Sequence, residues 1–418
     1  MKVVYPTCCG VDVHKRFLVA TIITSEGIMP RYQKKRFSTF NNSILKFKQW
    51  LIDNNCFDVC MESTGKYWVP VFNLLEDSIN VTIANPKWVK AVKGNKDDKK
   101  DSQWIGDLFR LGLVPGSFIP SKPIRILREY TRYRFKLVSC KSSEKNRFQN
   151  VFTVCNVARD AVVSDMFGKS AASITDYLVK SDSFDPRQCI RLLKGSLKKK
   201  ADAVIQSIEG YQMTPEQKYR AVMIRKHLEF IENSLRELDE ILNVLAAPYE
   251  SAIRLLCTIP GVDRASAITI ISEIGTDMSY FSSSKRLCCW AGLTPGNNES
   301  AGKKKSVRIT RAGVYLKPAL VQIAHAAVKS KNNLPNQVAK RRGKKRAIIA
   351  IARMILTAVY HMLSTGEIFN PCDLDQVDMP QELRDKQKEK ALKRAAKLLI
   401  AQGIIQASDI SGISLQTA

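Results

Sequence analysis

Four carboxylates in three separate stretches are the residues whose type and spacing suggest chemistry. Asp12 stands in the apolar run Cys9-Gly10-Val11-Asp12-Val13-His14-Lys15, where a buried, ionised side chain is costly unless a cation compensates it. Glu62 ends a second apolar run, Cys60-Met61-Glu62-Ser63-Thr64-Gly65. Asp98 and Asp101 lie in Lys96-Asp97-Asp98-Lys99-Lys100-Asp101, ahead of the apolar positions Trp104, Ile105, Leu108 and Phe109. Residues three apart share a helix face, so Asp98 and Asp101 face the same way, whereas Asp97 points about 100° away from Asp98. Four oxygen donors suit magnesium or manganese, hard cations that hold a phosphate ester and lower the pKa of the attacking group. The blander reading makes Asp98 and Asp101 acids that favour a helix start, and Glu62 a cap. Asp12, in mid-strand, argues against it.

The elements around these residues follow from hydrophobic period. Two β-rich runs between Thr7 and Thr24 surround His14, Lys15 and Arg16, and a third covers Tyr32 to Phe37, which predicts a three-stranded meander. Then come a helical pattern at Ile44 to Ile52, a strand at Phe57 to Met61, a helix near Tyr67 to Leu75, a strand at Val81 to Ala84 and helices beyond Pro86. The order βββαβαβα resembles the ribonuclease H and junction-resolvase fold, where the first and fourth strands are neighbours and Asp12 and Glu62 can converge.

Beyond this region the pattern turns helical. Pro123 to Val157 carries Arg125, Arg128, Arg132, Arg134, Lys136, Lys141, Lys145 and Arg147 among apolar residues, a long basic helix expected to touch phosphate. After the helix start Thr214-Pro215, the positions Ile224, Leu228, Ile231, Leu235, Leu238, Leu242 and Leu245 alternate spacings of four and three, the pattern of a coiled coil. Its partner is either a second subunit or the basic helix of the same chain, and dimerisation is the preferred expectation. Gly-punctuated short helices follow Pro248. The expected architecture is an α/β ribonuclease H/resolvase-like catalytic domain over 1–120, a helical coiled-coil linker region over 121–250, a mostly α-helical C-terminal domain over 251–367 and a helical tail over 368–418.

Composition narrows the partners. The 418 residues exceed one ordinary core, and 66 Lys and Arg against 39 Asp and Glu leave a net charge of +27, which calls for a polyanion such as nucleic acid. Eleven cysteines without a Cys-x-x-Cys pair, and four histidines without zinc-ligand spacing, point to reduced thiols and a cytosolic protein whose metal sits on oxygen. The N-terminus has no signal-peptide pattern, and the most apolar later stretch, Ala347 to Leu363, is interrupted by Arg353 and His361, so no membrane association is expected. Two basic clusters, Lys303, Lys304, Lys305, Arg308 and Arg311, then Lys340, Arg341 and Arg342, are expected to neutralise phosphates with strong salt dependence. Ile259-Pro260-Gly261-Val262-Asp263-Arg264-Ala265 reads as a helix-hairpin-helix whose turn offers backbone amides to phosphate. No helix carries a base-reading pattern, so something else specifies the target.

The motifs Gly10 to Lys15, Glu62-Ser63-Thr64-Gly65-Lys66-Tyr67-Trp68 and Lys96 to Asp101 resemble the Asp-Glu-Asp-Asp domain of the insertion-sequence-110 family of transposases. Ile259-Pro260-Gly261-Val262, Ala291-Gly292-Leu293-Thr294-Pro295 and Glu299-Ser300-Ala301-Gly302-Lys303 resemble that family's C-terminal transposase domain. Asp97 stands where the family has a small or hydroxyl residue, which makes it a rival to Asp98, and Ser102 and Ala301 replace the commoner Ala and Gly. The resemblance implies that Asp12, Glu62, Asp98 and Asp101 bind magnesium, with manganese as substitute, and that Ser300 attacks a DNA phosphate to form a covalent protein-DNA intermediate. It also implies donor and target DNA as substrates and a structured noncoding guide RNA as partner. Recombination between two duplexes suggests a dimer that assembles to a tetramer, working on DNA in the prokaryotic cytosol. Two rivals remain at this point: a junction-resolvase-like nuclease that uses water, for which Ser300 is expendable, and a non-catalytic nucleic-acid scaffold.

Overall fold

The computed structural model describes residues 2–25, 29–63, 65–89, 98–181, 183–296, 299–300, 303–304, 308–329 and 343–370. The chain divides into two compact units, Met1–Pro120 and Ser121–Ala418.

In the first unit, β1 (Thr7–Val13), β2 (Phe17–Thr24) and β3 (Arg31–Ser38) form the expected antiparallel meander. Two more strands, β4 (Asp58–Glu62) and β5 (Asn80–Ala84), join it in parallel, giving the order β3-β2-β1-β4-β5. Successive strand residues face opposite sides, and each side of this sheet has its own core. Cys9, Val11, Val13, Leu18, Ala20 and Ile22 pack under α1 (Asn41–Asp53) and α2 (Trp68–Leu75), through Ile44, Phe47, Leu51, Val71 and Leu75. Cys8, Ile23, Cys60 and Ala84 pack on the other side under Ile105 and Phe109 of α4 (Asp98–Arg110), which follows the short α3 (Pro86–Val89). A mixed sheet with helices on both faces is consistent with a ribonuclease H-like domain.

The second unit is mostly helical. Its spine is α5 (Lys122–Thr153) and α9 (Pro215–Ala246), each of 32 residues. Thr214 and Gln217 close a capping box at the start of α9, satisfying two backbone donors. Three cross-helix pairs, Arg134 with Asp239 at 2.5 Å, Lys141 with Glu232 at 2.8 Å and His227 with Glu144 at 3.3 Å, fix the two helices as antiparallel. The apolar stripe of α9 from Ala221 to Leu242 is buried inside this pairing and the small core beside it. The stripe is therefore covered by the chain's own basic helix and is not left as a seam for a second subunit. Leu245, the last position of the sequence pattern, is half-buried.

The basic helix also differs from expectation in what its charges do. Besides the pairs above, Arg132 binds Glu273 with two hydrogen bonds of 2.7 and 2.8 Å, and Arg128 donates to the carbonyls of Ser272 and Glu273. Arg147 pairs with Glu144, and Lys145 sits over the Phe167 ring. Much of this charge is neutralised inside the molecule, because its partners lie on α9 and α11 (Arg264–Ile274).

Between the long helices, α6 (Lys169–Lys180), α7 (Pro186–Leu192) and α8 (Ala201–Gln206) build a small core around Phe152, Ile174, Leu178 and Val204. After α9 come α10 (Glu250–Leu256), α11, α12 (Ser284–Trp290), α13 (Leu316–Lys329) and α14 (Lys344–Thr365). Among the described residues α14 alone is long and apolar enough to cross a membrane. Its Ala347, Ile351, Ile355, Leu356 and Val359 are buried in the core with α12 and α13.

Candidate active site

Cross-strand register assembles the acidic residues. Gly10 lies beside Cys60 and Val11 beside Met61 in the parallel β1–β4 pair, so the next step along both strands sets Asp12 beside Glu62, on the face that α4 covers. On the other flank Asp12 opposes Val19 of β2.

Helix α4 can come close to that face because two glycines meet. A Cβ on Gly10 would lie 2.1 Å from the Ser102 carbonyl oxygen and 2.3 Å from the Gly106 nitrogen. The contact is locked by a buried hydrogen bond of 2.8 Å between the Thr21 and Ser102 hydroxyls. Asp101 immediately precedes Ser102, so the same contact carries Asp101 to the acidic end of the sheet. Asp98 is the first residue of α4, and its side chain, like the whole of Asp97, lies outside the described residues.

Asp12 is under electrostatic tension. Burial raises its carboxyl above the usual value of 3.8, and the charges of Asp101 and Glu62 push the same way. His14 opposes them, with Nε2 2.9 Å from Asp12 Oδ2. Carboxylates whose charges disfavour one another in a half-buried site are a donor set that a hard divalent cation would relieve. Among the described residues, no three acidic, His or Cys side chains are drawn together tightly enough to hold an ion as they stand.

From sequence His14 is only a polar residue of the β1–β2 turn, and its approach to the site is missed. The available signal is its place two residues beyond Asp12, one residue past the end of β1, since alternate residues of extended chain share a face. The Gly10–Gly106 contact is missed in the same way, although Ser102 and Gly106, four apart, announce a narrow helix face.

In the second unit Ser300 belongs to a two-stranded ribbon, β6 (Glu299–Ser300) with β7 (Lys303–Lys304), and pairs with Lys303 at the end where the chain turns back. The ribbon's base is tied by the Pro295–Ile309 bridge and by the Gly296 amide to the Arg308 carbonyl. Arg308 and Arg311 are exposed there. Lys305, Lys340, Arg341 and Arg342 lie outside the described residues, as do Ala301 and the tail from 371 onward. The Ile259–Asp263 segment does join two helices, and Asp263 caps α11 by accepting from the Ser266 amide. Its glycine, however, answers to packing. Gly261 has φ +85, and a Cβ there would lie 2.6 Å from the Ala327 nitrogen of α13. The Val262 amide already bonds the Ile259 carbonyl, so one amide of the turn is not free for phosphate.

Comparisons with known proteins agree in order along the chain. A family model for the Asp-Glu-Asp-Asp domain of IS110 transposases, described as "Transposase", matches residues 9–156. A second, described as "Transposase IS116/IS110/IS902 family", matches residues 253–339. Together they span more than half of the chain. A protein of Sinorhizobium fredii (strain NBRC 101917 / NGR234) that carries a transposase name, y4qE, is 29% identical over 143 residues. That match covers 31% of this chain and 35% of the relative, so the chain spans about a third of the curated relative it matches.

Proposed function

The chain belongs to the IS110 family of transposases, and from that membership we propose that it cuts and rejoins donor and target DNA as the transposase of an insertion sequence. The observation that best supports a catalytic role is the β1–β4 register that sets Asp12 beside Glu62 on the face against which Gly10 and Gly106 hold α4, the helix of Asp101. Asp12, Glu62, Asp98 and Asp101 are the residues that would hold a divalent cation, magnesium or manganese. When bound, such an ion neutralises the carboxylates and withdraws charge from a phosphate oxygen.

Ser300 supplies the nucleophile in this reading. Its Oγ forms a bond to phosphorus as the bond from phosphorus to the leaving sugar oxygen breaks, and the serine proton ends on that oxygen as a hydroxyl. The cut strand stays attached as a serine phosphodiester, so a hydroxyl of another strand can displace the serine and restore it. Lys303, Lys304, Lys305, Arg308 and Arg311 offset the phosphate charge, and Lys340, Arg341 and Arg342 hold neighbouring phosphates. A structured noncoding RNA specifies the target in place of a base-reading helix. The working species is a dimer assembling to a tetramer on DNA in the prokaryotic cytosol.

The test is a denaturant-resistant protein-DNA adduct, formed by purified protein with magnesium, the element's flanking RNA and labelled donor DNA. The expected result is an adduct in the native protein that is absent from both Ser300→Ala and Asp12→Ala. Cleavage that survives Ser300→Ala without any adduct would replace this reading with water-dependent hydrolysis.

A further inference from the structure

The cationic side chains of the first unit are distributed differently from those of α5. Strand β3 is an edge strand, exposed from Arg31 to Arg36. Four of those six residues, Arg31, Lys34, Lys35 and Arg36, are basic and none is acidic. Lys15 and Arg16 add two exposed cations in the β1–β2 turn, which is tied to the end of β3 by the Thr39 amide and hydroxyl bonding the Arg16 and Lys15 carbonyls. Among the described residues none of these six makes an ion pair, whereas Arg132, Arg134 and Lys141 of α5 all do.

Register aims one edge of this patch at the acidic site. Arg36 opposes Val19, and Val19 opposes Asp12. Directly opposed residues share a face, so Arg36, Val19, Asp12 and Glu62 form one row across four strands. Arg36 and Asp12 are then two strand spacings apart, roughly 10 Å. The row is also bridged by stacked groups. The Arg36 guanidinium lies 3.7 Å from the centre of the Phe17 ring, Phe17 is 4.5 Å from His14, and His14 touches Asp12. Lysines on an edge strand serve in many proteins to prevent strand addition. That role needs neither a turn contributing two further cations nor an arginine stacked in line with a carboxylate centre.

We infer that β3 and the β1–β2 turn form a rail for the sugar-phosphate backbone of a DNA strand, delivering it to Asp12 and Glu62 through contacts that ignore base sequence. The inference rests on the reading of the acidic site as a DNA-cutting centre. A chain of phosphates needs neutralising cations as it nears a carboxylate cluster that would otherwise repel it, and the patch supplies unpaired cations at that approach.

The experiment compares full-length protein with a variant carrying Lys15→Gln, Arg16→Gln, Lys34→Gln and Arg36→Gln, and with Lys226→Gln as a charge control on exposed α9 surface. Binding of a labelled random-sequence DNA duplex is followed across a salt series. The expected result is weaker binding, with a slope of log K against log salt shallower by about 0.9 for each phosphate that is no longer neutralised, and little change for Lys226→Gln. Because Arg36 packs on Phe17, the pair Lys15→Gln with Lys34→Gln is measured as well, and it should shift the slope in the same direction without disturbing a ring. Unchanged slope and affinity in both variants would overturn the rail, as would weakened binding of a structured RNA with DNA binding intact. Asp12→Asn separates the two ideas. If it binds DNA normally but cuts none, the centre and the rail are distinct parts of one machine; if it cuts as well as the native protein, the acidic-site reading fails while the binding result still decides the rail.

Discussion

Gly10 of β1 and Gly106 of α4 meet backbone to backbone, leaving no volume for a methyl group on Gly10. The helix that carries Asp101 is therefore held against the sheet at its closest approach. Gly10→Ala would force α4 outward, and overpacking of this kind costs about 1–3 kcal/mol. The expected outcome is a lower urea midpoint together with loss of strand cleavage, because Asp101 moves with the helix. Cleavage at the native rate in a stably folded Gly10→Ala protein would mean that the close approach is irrelevant to the site.

The buried Thr21–Ser102 hydrogen bond can be tested by a double-mutant cycle. Ser102→Ala leaves the Thr21 hydroxyl buried without its partner and should cost about 1–3 kcal/mol. Adding Thr21→Val removes both polar groups and should recover most of that loss. Additive losses in denaturant unfolding would show that the two hydroxyls do not depend on one another.

Glu273, only 3% exposed, accepts from Arg132 and lies beside Arg128. Burial lowers the Arg128 pKa to about 10. Removing the shared carboxylate in Glu273→Ala leaves two guanidinium groups without their anion, with an expected cost of roughly 3–5 kcal/mol. Thermal unfolding of Glu273→Ala should fall well below that of Arg254→Ala, which loses only an exposed pair.

Asp12 gives a signed pH dependence. Its folded value is raised, so the folded chain holds the proton more firmly than the unfolded chain, and ionisation costs stability. Without divalent ions, Asp12→Asn should therefore gain stability relative to the native protein as pH climbs from 3.8 through the raised value. Magnesium should close that gap by stabilising only the native protein. A gap that stays flat with pH would remove the argument that Asp12 is electrostatically strained.

The first unit is legible in the sequence because four of its five strands are short, largely apolar runs with clear breaks. The heptad of α9 is equally plain, yet period alone does not name its partner. Charge spacing could have done so: Arg134, Lys141 and Glu144 on α5 run opposite to Asp239, Glu232 and His227 on α9. The same blindness to long-range pairing makes α5 read as a phosphate-binding helix although many of its cations are already matched. At the acidic site, Asp12 and Glu62 follow from fold topology, whereas the Gly10–Gly106 contact depends on two backbones 96 residues apart and leaves only small side chains as its trace.

Four thiols, Cys8, Cys9, Cys56 and Cys60, fill the sheet's two cores as apolar volume. Burial pushes Cys8, Cys56 and Cys60 up to about 12, so almost no thiolate exists near neutrality. They escape alkylating reagents as long as the sheet stays closed. The exposed Cys140, Cys257 and Cys289 react first, and the slower labelling at these four positions, read apart from that at the buried Cys155, Cys189 and Cys288 of the second unit, is a clock for the opening of the first unit, built into the protein without any added probe.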